Sequence, residues 1–166
     1  RQRQMCIRDS GTTAKDPVIE HLQQLCAWLA EYQLDLTQIG VTGSCLLGLQ
    51  NHQSDLDLVC YDRTLFHRLR QVVEQLIISG KCRALEAGDW LEAFQRRACV
   101  DLTLDQYIWH EQRKYNKALI AGRKFDISLV NPALLASRQF KKHGFIQLNA
   151  KVLDADQGFD YPATFV

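Results

Sequence analysis

Two acidic residues and a Gly-Ser pair stand close together in the first half of the chain. Asp55 and Asp57 are separated by one leucine, and ten residues separate Ser44 from Asp55. The acids interrupt an apolar run typical of a buried strand, and residues two apart on a strand project from the same face. Two carboxylates held that close are unfavourable without a cation. The spacing therefore favours a shared metal site on one strand face.

Gly43 and Ser44 add a group that suits an anion. Glycine lets a phosphate approach closely, or adopts a dihedral angle that a Cβ forbids. Serine is a residue type that starts helices, and the unpaired N–H groups of a helix start point toward an anion. A phosphate held beside a metal is the arrangement that a metal-bound nucleotide requires.

The elements that must position these residues follow from hydrophobic spacing. Apolar residues recur at helical spacing from Asp16-Pro17 to about Tyr32, and from Asp62 or Thr64 to Ser79. A longer helix is expected from Thr103 or Asp105 to Ala121, because glycine, here Gly122, commonly ends a helix. Strands or β-like runs are expected at 38–42, 55–61, 81–85 and 123–130, and short helices at 44–49 and 90–97. These elements predict an α/β (α+β) domain with a mixed, mostly antiparallel sheet backed by helices.

The two ends of the chain are interpreted separately. Residues 1–10, RQRQMCIRDS, back-translate to a transposase adapter of sequencing libraries and are excluded from fold reasoning as an adapter artefact. Residues 11–143 are interpreted as the main domain. Residues 144–166 contain two β-like runs around the turn DADQG and are interpreted as the start of a truncated, β-rich segment. Natural sequence is expected beyond both ends.

Composition limits the classes of partner. Without Arg1, Arg3, Arg8 and Asp9, the 20 basic and 19 acidic residues become 17 and 18, so the formal charge changes from +1 to −1. This balance gives no strong signal for general nucleic-acid binding. No apolar run approaches the roughly 20 residues that cross a bilayer, so we expect no membrane partner and a cytoplasmic location. The cysteines form no CxxC pair, which favours reduced thiols over a zinc or disulfide framework.

The unit around Gly43, Ser44, Asp55 and Asp57 resembles the signature of the DNA polymerase beta nucleotidyltransferase superfamily. That signature is a hydrophobic residue, Gly, Gly or Ser, a spacer, and Asp-hydrophobic-Asp or Glu; here Thr42 occupies the hydrophobic slot. Further words are similar to an uncharacterised group of microbial predicted nucleotidyltransferases: GVTGS, LLGL, SDLDLVCYD, HEQRK, GRKFDISLV and FDYPA. The resemblance covers most of residues 38–166. A second DxD, Asp154 and Asp156, has no Gly-Ser pair before it and is interpreted as turn acids in solvent.

The resemblance implies a metal-dependent enzyme that transfers a nucleoside monophosphate from a nucleoside triphosphate, for instance ATP, to a hydroxyl acceptor. The acceptor is left open between protein, RNA and a small molecule. Two Mg²⁺ ions are expected, with Mn²⁺ as the alternative, because hard cations bind carboxylate oxygens. Asp55 and Asp57 are assigned to metal binding and catalysis, and Gly43 and Ser44 to nucleotide binding.

The superfamily usually places a third carboxylate on a neighbouring strand. Asp126, in the β-like FDISLV, is chosen as this catalytic and metal-binding residue. Asp101 is the alternative, less favoured because it precedes a helix and could be its cap, and a third acid that is neither residue stays open. Arg113 and Lys114 are assigned to nucleotide binding. His110, Lys114 and Lys117 are expected to share one face of the helix before Asp126.

Two other functions stay open. One is an inactive nucleotide-binding or regulatory module of the same fold, favoured if the third acid is missing. The other is a glycosyltransferase whose DxD binds a metal-bound nucleotide sugar, which the nearby Gly-Ser pair argues against.

Overall fold

The structure, a computed structural model, describes residues 16–97, 101–130, 141 and 143–166, together with the backbone of residues 3–4. The strands in chain order are β1 (Arg3–Gln4), β2 (Ile39–Val41), β3 (Leu56–Cys60), β4 (Lys117–Ile120) and β5 (Arg123–Leu129). The helices are α1 (Pro17–Glu31), α2 (Gly43–Leu47), α3 (Arg63–Ile78), α4 (Ala87–Arg97) and α5 (Leu104–Glu111). Single 3₁₀ turns occupy Leu36–Gln38 and Gln112–Lys114.

The strands form one mixed sheet in the order β1-β2-β3-β5-β4. Only β3 and β5 run parallel, and the other neighbouring pairs are antiparallel. The predicted mixed, mostly antiparallel sheet is therefore confirmed. Strand β1 falls in the segment interpreted as an adapter. Because backbone pairing over two residues requires no particular side chains, that interpretation stays a prediction.

Helices α1 and α3 pack against one face of the sheet and form the main core. The side chains of Leu56 and Leu58 on β3, and of Phe125 and Ile127 on β5, are almost fully buried there. Both helices begin as predicted: the Asp16 carboxylate accepts a bond from the N–H of Val18, and the Asp62 carboxylate accepts one from Leu65. These caps and the apolar spacing fix which face of each helix meets the sheet.

Helices α4 and α5 form a second, smaller cluster outside that core. Leu85, Trp90 and Tyr107 are its buried members, and the rings of Trp90 and Tyr107 meet edge to face with centroids 6.5 Å apart. Helix α4 starts before the predicted residue 90, at Ala87, so Asp89 lies in its first turn. These two helices lie on the polar side of the sheet, away from the main core.

The predicted long helix from Thr103 or Asp105 to Ala121 is wrong. Helix α5 ends at Glu111, Tyr115 adopts a left-handed φ of 48°, and the chain continues into β4. Ala121 and Gly122 then turn β4 into β5 with φ values of 47° and 83°, which is the two-residue turn that hairpins favour. Gly122 thus marks a hairpin rather than a helix end. The expected run at 81–85 contributes only an isolated bridge from Arg83 to Leu119.

The tail docks on α3 without forming strands. Phe159 packs against Phe66 with ring centroids 5.1 Å apart, and the buried Asp160 forms an ion pair with Arg63. Neither predicted β run forms a strand among residues 143–166, so the β-rich interpretation is corrected for this segment. A strand needs a partner, and the apolar side chains of Phe145, Ile146 and Leu148 are exposed instead.

Two further findings concern the described residues. None of their helices combines the length and apolar character needed to cross a membrane. Among them, Cys26, Cys45, Cys60 and Cys82 form no disulfide bond.

Candidate functional site

Asp57 and Asp126 lie side by side on the polar face of the sheet. They are register partners on the parallel strands β3 and β5, whose backbones are about 4.8 Å apart. Their neighbours Leu56, Leu58, Phe125 and Ile127 point into the main core. The strand period therefore turns both carboxylates to the opposite, open face. Asp101, the alternative third acid, is exposed just before α5 and has no such pairing.

Asp55 stands at the entrance of β3, one residue before the strand begins. It lies two residues from Asp57 and shares its face, as predicted. Its carboxylate forms an ion pair with Lys124 across the sheet, with Oδ2 3.1 Å from Nζ. Together with Asp57 and Asp126 it lines a cavity of about 490 Å³ between the sheet and α4. We call this cavity the acidic cleft.

Lysines already balance part of the charge in the acidic cleft. Besides Lys124, the half-buried Lys117 places its Nζ 3.6 Å from Asp126 and 3.0 Å from Glu111. Asn116 donates a hydrogen bond of 3.3 Å to Asp126 Oδ1 and one of 3.1 Å to the carbonyl oxygen of Ile127. These two bonds fix the orientation of the Asp126 carboxylate. Asn116 is thus a positioning residue that sequence reasoning missed.

Burial raises the pKa of Asp126 above its ordinary value, and the negative charge of Asp57 adds to the effect. Lys117 and Lys124 oppose this shift without cancelling it. A carboxyl group with a raised pKa accepts a proton more readily than an ordinary aspartate does. Asp126 therefore combines the geometry of a ligand with the basicity of a proton acceptor.

Gly43 packs directly against Asp57. The Thr42 N–H donates a 2.9 Å bond to the carbonyl oxygen of Asp57, and Gly43 follows with a left-handed φ of 63°. A Cβ at position 43 would overlap the Asp57 carboxylate oxygen. The dihedral angle predicted for this glycine is thus present, and the group that it approaches is the carboxylate of Asp57. Its predicted contact with a phosphate stays a prediction.

Ser44 lies within α2 and is half-buried. The short helix starts at Gly43, one residue earlier than predicted, and Thr42 caps it without a side-chain bond. Neither Gly43 nor Ser44 lines the acidic cleft. Burial raises the pKa of the adjacent Cys45 thiol, and a hydrogen bond with Ser44 only partly opposes the shift. Cys45 is therefore not activated as a nucleophile.

The residue types at the acidic cleft suit a divalent cation. Carboxylate oxygens are the ligands that Mg²⁺ and Mn²⁺ prefer, and Asp55, Asp57 and Asp126 all line this cavity. Across the described ranges, no three His, Cys, Asp or Glu side chains are already grouped as a metal site. Asp57 and Asp126 have the chemistry and register to hold an ion, and Asp55 would join them after leaving Lys124.

Arg113 and Lys114 lie in the 3₁₀ turn after α5. This turn is on the side of Asp126 that faces away from Asp57. Since Lys117 belongs to β4, the predicted shared helix face of His110, Lys114 and Lys117 is wrong. The turn nevertheless brings these three side chains to one cavity of about 510 Å³, which also borders Asp126. Sequence reasoning missed Arg70 and Arg97 in this cavity, because neither belongs to a local motif, and it gave no role to Glu111 within HEQRK.

The second DxD pair and two tryptophans lie outside the acidic cleft or at its border. Asp154 and Asp156 are exposed, and the backbone N–H of Asp156 donates to the Asp154 carboxylate within the turn, as expected of turn acids. Trp90 is buried in the second cluster. Trp109 is 54% exposed and carries the Arg113 guanidinium 3.5 Å above its ring.

The chain is similar to an uncharacterised protein of Methanocaldococcus jannaschii. The two are 28% identical over 152 residues, which cover 88% of this chain and 45% of that protein. The chain thus spans about half the length of this relative. No protein-family model matches the chain, and no solved structure matches it.

Proposed function

We propose that this chain is a metal-dependent nucleotidyltransferase with the polymerase-beta-like fold. The observation that carries the proposal is the register pairing of Asp57 with Asp126, with Asp55 on the same face. Three carboxylates at one edge of an open sheet face are what a phosphoryl-transfer centre with divalent ions requires. The substrate would be a nucleoside triphosphate, and the second substrate an acceptor with a free hydroxyl group.

In this proposal Asp57 and Asp126, joined by Asp55, hold Mg²⁺ or Mn²⁺. The bound ions would neutralise the charge that develops on the phosphate oxygens. The bond from Thr42 and the contact with Gly43 keep Asp57 in place. Asn116 orients Asp126, and Lys124 is released from Asp55 to face the phosphates.

The proposed reaction conserves atoms and charge. The acceptor hydroxyl gives its proton to the Asp126 carboxylate, and its oxygen forms a bond to the α-phosphorus. The bond from the α-phosphorus to the bridging oxygen breaks, and pyrophosphate leaves with the electron pair.

The test uses the whole chain with nucleoside triphosphates labelled at the α-phosphate, Mg²⁺ and a panel of protein, RNA and small-molecule acceptors. We expect transfer of label, and its loss in Asp57→Asn and Asp126→Asn. The matched control is Asp101→Asn, which removes an exposed carboxylate of the same size. Equal labelling by all three variants would overturn the proposal.

A second candidate is an inactive nucleotide-binding module of the same fold. It is favoured by the ion pairs of Lys124 with Asp55 and of Lys117 with Asp126, because lysines can replace metal ions as counter-charges. In that case the triphosphate binds without metal, and no acceptor becomes labelled. Nucleotide binding that is unchanged by EDTA, with no transfer, would support this module.

A further inference from the structure

The cavity beyond Asp126 carries an excess of positive charge. We call it the basic pocket. It lies between α3, α5, the end of β5 and the tail, and has a volume of about 510 Å³. Two of its lining side chains are acidic, Glu111 and Asp126. Five are basic: Arg70, Arg97, Arg113, Lys114 and Lys117.

Glu111 balances only some of these cations. Its side chain is 3% exposed and forms ion pairs with Arg97, Lys114 and Lys117. Arg70 and Arg113 form no ion pair with any carboxylate in the described part of the chain. Neither guanidinium therefore has a carboxylate at ion-pair distance in that part of the chain, although Glu74 is near enough to favour the charged form of Arg70.

Both arginines are held in place by other contacts. Arg70 donates to the carbonyl oxygens of Lys114 and Arg113, and its guanidinium lies 4.2 Å from the centre of the Phe159 ring. The Arg113 guanidinium is stacked on Trp109. Burial lowers the pKa of Arg70, which agrees with a cation partly removed from water. Fixed guanidinium groups of this kind match the geometry of phosphate oxygens.

The basic pocket and Gly43 lie on opposite sides of Asp126. Across the sheet face the register runs from Asp57 on β3 to Asp126 on β5 and then to Lys117 on β4. Gly43 packs on Asp57, whereas the basic pocket borders Asp126 and Lys117. Asp126 therefore lies between Asp57 and the basic pocket, which adjoins the acidic cleft at Arg97, Lys117 and Asp126.

We propose that the basic pocket binds the phosphate group of the acceptor, a small phosphate monoester that carries the attacking hydroxyl. This inference rests on the proposed transferase function. The volume lies within the usual range for small-ligand sites, and Phe159 and Phe165 supply apolar walls for a sugar-sized body. Arg113 and Lys114 thus serve the acceptor rather than the triphosphate.

The first experiment measures phosphate binding without transfer. The chain is titrated calorimetrically in EDTA with ribose 5-phosphate, and ribose serves as the uncharged control ligand. We expect binding of the phosphate ester only, with affinity reduced about tenfold in Arg113→Gln, because a charge-assisted bond contributes about 1.5 kcal/mol. Arg113→Lys should recover part of this loss.

Arg68→Gln is the matched control, because Arg68 lies on α3 close to Arg70 but is exposed and does not line the pocket. Equal affinity of the original chain, Arg113→Gln and Arg68→Gln would overturn the inference. Equal binding of ribose and ribose 5-phosphate would overturn it as well.

The second experiment tests the acceptor role with paired acceptors, ribose 5-phosphate against ribose and glycerol 3-phosphate against glycerol. We expect label from the nucleotide on the phosphorylated member, and less of it with Arg113→Gln. Label on the unphosphorylated members alone overturns the acceptor role. If no acceptor of any class is labelled, the proposed function fails and the acceptor role falls with it. The metal-free titration still decides separately whether the pocket binds phosphate.

Discussion

The Asp57 carboxylate fills the space in which a Cβ of residue 43 would lie, so only Gly43 fits at this position. The same glycine has a left-handed φ of 63°. Two independent features, close packing and backbone conformation, therefore require glycine at position 43. This contact couples the turn after β2 to an acid at the centre of the polar face.

Gly43→Ala should destabilise the protein and displace Asp57. A left-handed conformation costs a residue with a Cβ about 1 kcal/mol, and the overlap with Asp57 adds to that cost. Gly48→Ala is the control, since Gly48 has a φ of 67° with nothing within 4 Å of an added Cβ. Urea unfolding should show a larger loss for Gly43→Ala, and Mn²⁺ titration a weaker affinity for that variant alone. Equal losses of stability would show that the Asp57 contact is unimportant.

Lys124→Met should strengthen binding of a divalent cation to the acidic cleft. Lys124 competes for Asp55, with the two groups 3.1 Å apart. Because the pair is partly exposed, we expect a gain of about fivefold, corresponding to roughly 1 kcal/mol. Mn²⁺ affinity can be followed by electron paramagnetic resonance. Lys81→Met removes a lysine from a surface ion pair with Glu31 on another part of the molecule and should have no effect. A weaker affinity in Lys124→Met would contradict the proposed site.

Helices α1 and α3 and strands β3 and β5 could be predicted because their signals are local. Asp16 and Asp62 each cap a helix with a regular apolar stripe, and the acids of β3 alternate with leucines. The polar face of Asp57 follows directly from strand period. These features depend only on neighbours within a few residues.

Strand β4 was missed because its signals are ambiguous in isolation. Ala118, Leu119 and Ile120 suit a helix as well as a strand, and Gly122 serves equally as a helix stop or a hairpin turn. The left-handed conformation of Tyr115 has no sequence signal. The pairing of Asp57 with Asp126 depends on the order of strands in the sheet, which no local pattern fixes. The basic pocket was missed for the same reason, since it joins Arg70 on α3 to residues after α5.

Asp160→Asn should loosen the tail from α3. The Asp160 side chain is 1% exposed and paired with Arg63, whose side chain is 36% exposed. Loss of an ion pair in which only the carboxylate is buried should reduce the free energy of unfolding by about 2 kcal/mol. Limited proteolysis should also cut residues 145–153 faster. Asp156→Asn, in an exposed turn, should change neither rate nor stability. Unaltered proteolysis in Asp160→Asn would show that the ion pair does not hold the tail.

Glu111→Gln should remove a pH-dependent part of the stability. Burial alone raises the pKa of Glu111, but its bonds to Lys114 and Lys117 outweigh burial and hold the pKa below the ordinary value of 4.5. A lowered pKa in the folded state means that the stabilisation is present above pH 4.5 and is lost as the pH falls through the folded value. At pH 7 the substitution should cost about 2 kcal/mol, because the partly exposed Arg97, Lys114 and Lys117 lose the buried carboxylate that balances them. Urea unfolding at several pH values should show that the difference in stability between the original chain and Glu111→Gln narrows below about pH 4.5.

Glu92→Gln is the control. It removes an exposed pair with Arg96 and should cost under about 0.5 kcal/mol at every pH. A difference for Glu111→Gln that stays constant from pH 7 to the acid limit of folding would mean that the charge of Glu111 is not what stabilises the fold.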